Sequence, residues 1–154
     1  MQEQDAARTQ ALAYLQAHGI MTLATHGAAG PWAAAVFYAS EGFTLYWLSA
    51  PSSRHSMDLA RNPRVAASVQ EHYADWRDIK GLQLEGQACE LSGGEEQRAR
   101  KVYGEKYPVF GNLSQAPAAI VAAMAKARWY RLVPERLHLI DNSVAFSHRV
   151  EIAL

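Results

Sequence analysis

Ser52-Ser53-Arg54-His55 is the run of this chain best equipped for chemistry: two hydroxyls, a guanidinium and an imidazole precede a helical stretch that stops at Asn62-Pro63. A serine that caps a helix leaves backbone N–H groups and the positive end of the helix dipole facing outward, which suits an anion. Arg54 adds a planar fork that matches two phosphate oxygens, and His55 adds a ring donor. The run therefore reads as an anion cradle. An ordinary capped surface helix with solvated Arg54 and His55 has the same sequence, and both readings stay open on these residues alone.

Other chemistry is sparse. The six histidines are scattered, no two of them at close metal-ligand spacing, so no metal site is expected. No nucleophile elbow, Walker loop or dinucleotide fingerprint occurs, and no residue stands out as an obligatory acid or base. Catalytic residues are left unassigned. Fifteen basic and fifteen acidic side chains give zero net charge over 154 residues, which argues for a small ligand rather than a nucleic acid or an acidic membrane. The single cysteine, Cys89, precludes an internal disulfide and is expected to be a buried, inert thiol. The polar, acidic opening residues and the lack of a long apolar run predict a cytoplasmic protein.

The elements that must position the cradle follow from hydrophobic spacing. A helix over about Glu3–His18 ends at Gly19. Ile20–Thr25, Trp32–Ala39 and Phe43–Ser49, joined by glycine-bearing turns, form an antiparallel meander that delivers the chain to the cradle. Beyond it come a strand over Arg64–Val69 and a long, bent strand over Ile79–Leu91. Ser92 and Glu95 form a capping box that launches a charged helix to Lys106. An alanine-rich helix follows Pro117, its small side chains suited to close backbone approach. Trp129–Val133 and Arg136–Ile140 are then two strands separated at Pro134, and a last segment runs from Val144 to Ile152. The sum is one domain, 1–154, of α+β, mainly β class: about six strands in a small antiparallel barrel with peripheral helices.

The order of Gly42–Ser49, Ser53-Arg54-His55, Asn62-Pro63-Arg64-Val65 and Ile79–Gly86, with Lys106–Val109 and Asp141–Arg149, resembles the pyridoxamine 5'-phosphate oxidase-like FMN-binding split barrel, and within it the YhbP-type branch. The resemblance implies a six-stranded split barrel that forms a homodimer with FMN at the subunit interface. It places Ser53, Arg54 and His55 on the phosphate, with His55 where the family usually has lysine. It places Val36, Phe37 and Tyr38 along the isoalloxazine, Leu48 and Ser49 on the strand leading to the phosphate, and Gln83, beside Gly81, at a ring or ribityl contact. Arg149 and Phe146 reach across the dimer. Ala145 and Ser147 stand where related sequences carry glycine, and Arg136-Leu-His138 continues with Leu139-Ile140, so vitamin oxidation is not implied. The implied activity is an FMN-dependent oxidoreductase passing electrons between a nicotinamide or small reduced substrate and an acceptor, with Trp32, Trp47 and Tyr38 as walls. The alternative is a non-catalytic flavin or haem carrier or sensor, with His55, His138 or His148 as axial ligand.

Overall fold

The computed structural model describes residues 2–154. Among the described residues seven strands and five α-helices follow in the order α1 (Gln2–Ala17), β1 (Ile20–Gly27), β2 (Gly30–Glu41), β3 (Thr44–Ser49), α2 (Arg54–Arg61), β4 (Arg64–Gln70), β5 (Lys80–Glu90), α3 (Gly93–Lys106), α4 (Pro108–Gly111), α5 (Ala118–Lys126), β6 (Arg128–Asp141) and β7 (Arg149–Glu151). Every strand pairing is antiparallel, in the order β3-β2-β1-β4-β5-β6-β7. Pairing of β3 with the first half of β6, Leu45 opposite Leu132, closes six strands into a barrel. The short β7 lies outside this ring, on the second half of β6.

Alternation sets the two faces of the wall. Met21, Leu23, Val36, Tyr38, Val65, Val69, Leu82, Leu84, Leu137 and Leu139 point inward and are buried, while their neighbours point out. Ala7, Ala11 and Leu15, four residues apart, form the buried stripe of α1 and join the same core. The last turn of α1 has no basic residue of its own. Lys106 of α3 serves instead, donating to the carbonyls of Leu15 and His18. A second cluster, built on Tyr46, Leu91, Ala99, Tyr103 and Trp129, seats the α3–α5 cover on the barrel.

Four expectations need correction. Trp129–Val133 and Arg136–Ile140 are one fourteen-residue strand, not two. A bulge sets Glu85 opposite Arg136 but Gly86 opposite Pro134, so Glu135 is the extra residue and the proline is absorbed where the ladder is already interrupted. Gly86 permits this, since a β-carbon there would lie 2.1 Å from the Val133 carbonyl oxygen. The capping box does not form: Ser92 is the N-cap of α3 but makes no side-chain bond. Glu95 pairs with Arg131 on β6, a full charge that outcompetes a backbone amide. Cys89 is exposed, because Ala88 takes the inward position on β5. No residue of α5 is buried, so its alanines meet no close backbone within the chain.

Candidate functional site

The strand β3 and the helix α2 bring Ser49, Ser53, Arg54 and His55 to one end of the helix. Ser53 is the N-cap of α2, its hydroxyl accepting from the Ser56 amide, and Asn62 ends the helix. Ser49, last residue of β3, brings Oγ to 2.8 Å from His55 Nε2, and Ser53 Oγ is 3.3 Å from the same nitrogen. The first-turn amides of α2 lack intrahelical acceptors. Burial lowers the pKa of His55 from its ordinary value, against an opposing pull from Asp58, so the ring is neutral at pH 7.

Arg54 takes the other flank of the same cap. Consecutive helical positions are about 100° apart, which separates the two basic side chains. The Arg54 guanidinium lies 4.4 Å over the Trp32 ring, and its Nη2 donates to the Ala29 carbonyl at 3.4 Å. Its Nε is 3.9 Å from Asp58 Oδ2 and has no hydrogen-bond partner. Asp58 is itself fixed from below: Thr25 Oγ1 donates to Oδ2 at 2.9 Å, and a β-carbon at Gly27 would overlap Oδ1 at 1.9 Å. Asp58 was missed in the sequence, although its place four residues after Arg54 is the signal that identifies it.

The remaining sequence-predicted positions fall in two places. Val36 and Tyr38 point into the core, where the Tyr38 hydroxyl donates to Leu15 O. Only their backbone is left to face a ligand on the outer side. Trp47 is likewise a core residue, stacked on Tyr130, so neither Trp47 nor Tyr38 is a pocket wall, and Trp32 is covered on one face by Arg54. Leu48 is half-buried opposite Trp129. Phe37 is 59% exposed on the outer face of β2.

That outer face carries a row of side chains in register, small on β2, β1 and β4 and longer on β5 and β6. Ala35, Thr22, Ser68, Gln83 and His138 follow one another across β2, β1, β4, β5 and β6. Gln83 and Arg149 share a cavity of about 380 Å³ with Ser68, Arg136 and His138, and a second of about 280 Å³ with Ile140 and Phe146. Phe146 is 76% exposed and meets Trp76 edge-to-face at 5.4 Å. Asn142 holds their loops together, donating from Nδ2 to Trp76 O and accepting from the Ser147 amide at Oδ1. The site residues thus form two clusters, Ser49–Ser53–His55 with Arg54 at one end of α2, and Gln83–Arg149 on the sheet face. Among the described residues no three metal-ligating side chains converge, and no helix is long and apolar enough to cross a membrane.

A closed six-stranded antiparallel barrel with a helix-capped cradle between β3 and β4 defines the split-barrel class. The family model described as pyridoxamine 5'-phosphate oxidase matches residues 7–141, and the chain belongs to that family. A UPF0306 protein of Yersinia pestis is 32% identical over 106 residues, 68% of this chain and 71% of the relative. One from Klebsiella pneumoniae is 28% identical over 121 residues, 77% and 74% of the two chains. Among solved structures, a heme binding protein from Mycobacterium smegmatis has a TM-score of 0.72 at 20% identity, over 96% of this chain and 57% of that one. The heme storage protein HutZ of Vibrio cholerae has a TM-score of 0.66 at 21% identity, over 85% and 92%. A FAD-binding protein from Mesorhizobium loti has 0.62 at 22%, over 84% and 90%. At these identities the structures share the fold.

Proposed function

We propose that the chain is an FMN-binding oxidoreductase that works as a homodimer, passing electrons between a nicotinamide or small reduced substrate and an acceptor. The convergence of Ser49, Ser53 and His55 on the first turn of α2 carries this reading. Hydroxyls, free amides, one imidazole and the Arg54 guanidinium on the adjoining flank are the donor set a phosphate monoester needs. The bound flavin supplies the redox chemistry, and the chain positions it and sets its electrostatics. In this reading Ser49, Ser53, Arg54 and His55 hold the phosphate, Phe37 and Gln83 offer side chains to the ring, and Val36, Tyr38 and Leu48 contribute backbone.

The dimer is supported by the outer sheet face. Ala24, Ala33, Ala35 and Ala66 make it flat, and Ile20 and Phe37 stand exposed at its edge, a surface suited to burial against another copy. Arg149 and Phe146 then meet the partner's flavin. Purified protein tests the proposal: visible flavin absorbance, or uptake of added FMN, is expected, and a colourless protein that takes up no flavin overturns it.

A haem-binding reading is favoured by one observation. The His138 side chain is 13% exposed, lines the 380 Å³ cavity and has no partner closer than Glu151 at 3.7 Å, whereas His55 is engaged by Ser49. A Soret band lost in His138→Ala, with no flavin uptake, would select it.

A further inference from the structure

The loop between β6 and β7 helps to form the smaller of the two cavities that Gln83 and Arg149 share. That cavity measures about 280 Å³, with Ile79, Ile140 and Phe146 as its apolar walls. Drug-sized ligands need about 300–1,000 Å³, so this one suits a single ring rather than a flavin. The walls are built in advance. Phe146 is exposed yet stands edge-on against Trp76, and the Asn142 amide ties the loop to its neighbour by donating to the Ile79 carbonyl at 2.9 Å.

Arg149 is the one charged residue among those lining the cavity. The acids nearby are already answered. Glu151, on the same strand, is bound by Arg136 at 2.9 Å and faces His138 at 3.7 Å. Its pKa is lowered chiefly by the bond to Arg136, with His138 and Arg149 as lesser influences. Asp141 accepts from the Ser143 amide and from Gln10, each at 3.0 Å, and lies 3.6 Å from Lys80. The Arg149 guanidinium is thus left without an ion-pair partner among the described residues. In the proposed dimer this face is covered, and a covered cation without a counter-charge is costly. An oxidised flavin ring has no full charge to offer. One planar fork with one positive charge, flanked by the Gln83 amide, fits a carboxylate.

We propose that this cavity binds a small aromatic carboxylate, its acid group on Arg149 and Gln83 and its ring between Ile79, Ile140 and Phe146. Gln83 and Arg149 also line the 380 Å³ cavity, and Gln83 is the residue set against the flavin ring. The bound acid therefore lies beside that ring and defines the substrate class of the flavin site. The substrate role rests on the flavin reading above, whereas binding of the acid does not.

Calorimetric titration of the purified protein with benzoate, benzamide and acetate tests the binding. Benzoate should bind about tenfold or more tightly than benzamide, which keeps the ring and lacks the charge, and than acetate, which lacks the ring. Arg149→Gln should abolish the preference for benzoate over benzamide, and Phe146→Ala should weaken benzoate about tenfold while leaving that preference in place. Both positions are exposed, so neither change should disturb the fold. No benzoate binding, equal binding of acid and amide, or a preference that survives Arg149→Gln overturns the site. With FMN bound, benzoate should also shift the visible flavin spectrum. Benzoate that binds and leaves the spectrum unchanged overturns its role as substrate, with the flavin reading intact. Failure to bind FMN overturns the flavin reading and the substrate role with it, while the titration still decides the acid site.

Discussion

His55 and Arg54 are neighbours in the chain with different surroundings. Arg54 is held over Trp32 and beside Asp58, so its guanidinium is ordered before a ligand arrives. Arg54→Ala should therefore cost FMN binding about 2 kcal/mol, roughly thirtyfold, measured by titration, with riboflavin affinity unchanged because it lacks the phosphate. His55 is neutral at pH 7, since burial lowers its pKa. Protonation adds a charge beside the phosphate only below that depressed value, so FMN affinity rises as pH falls through it. His55→Lys carries the charge throughout, and should bind FMN more tightly at pH 7 and lose this step. The phosphate's own ionisation near pH 6 acts on both proteins alike, so a step of equal size in the lysine variant contradicts the assignment. The cap at Ser53 and the identity of the basic pair were legible because they are local. That the pair splits across two flanks, with Asp58 beneath one of them, depends on β1 supplying Thr25 and Gly27, which no local pattern shows.

The strand β6 shows the same limit over a longer stretch. Pro134 reads as a break because it lacks an amide, yet the bulge opposite Glu85 and Gly86 lets one strand run from Arg128 to Asp141. This continuity ties together the two proposed clusters, because β6 pairs with β3 at one end and with Gln83 and β7 at the other. Gly86→Val would force a side chain into the Val133 carbonyl and should lower stability by about 3 kcal/mol or more in a denaturant titration. A change below about 1 kcal/mol would show that the bulge tolerates a side chain. The strands β1 to β5 were legible from alternation and glycine turns. The unformed Ser92–Glu95 box was not, because the competing partner, Arg131, is distant in sequence.

The whole barrel leaves one wall flat and small-sided, and the proposal needs that wall to be an interface. Ala35→Arg places a long cation on the exposed outer face of β2, opposite Thr22, without touching the core. It should convert a dimer to a monomer in light scattering and lower flavin affinity at the same time, since Arg149 then meets no partner. A dimer that persists with full affinity puts the interface elsewhere. Barrel class and the β1–β3 meander followed from the chain's own pattern, while the β1–β4 and β3–β6 pairings and the outer face did not, because they join residues distant in sequence and the alanines are interpretable only once register aligns them. The most direct measurement remains the visible spectrum of the purified protein, before and after adding FMN, with Arg54→Ala alongside. The account predicts flavin absorbance in the wild type, weakened about thirtyfold in affinity by the substitution. A protein that is colourless, takes up no FMN and is indifferent to Arg54 contradicts it.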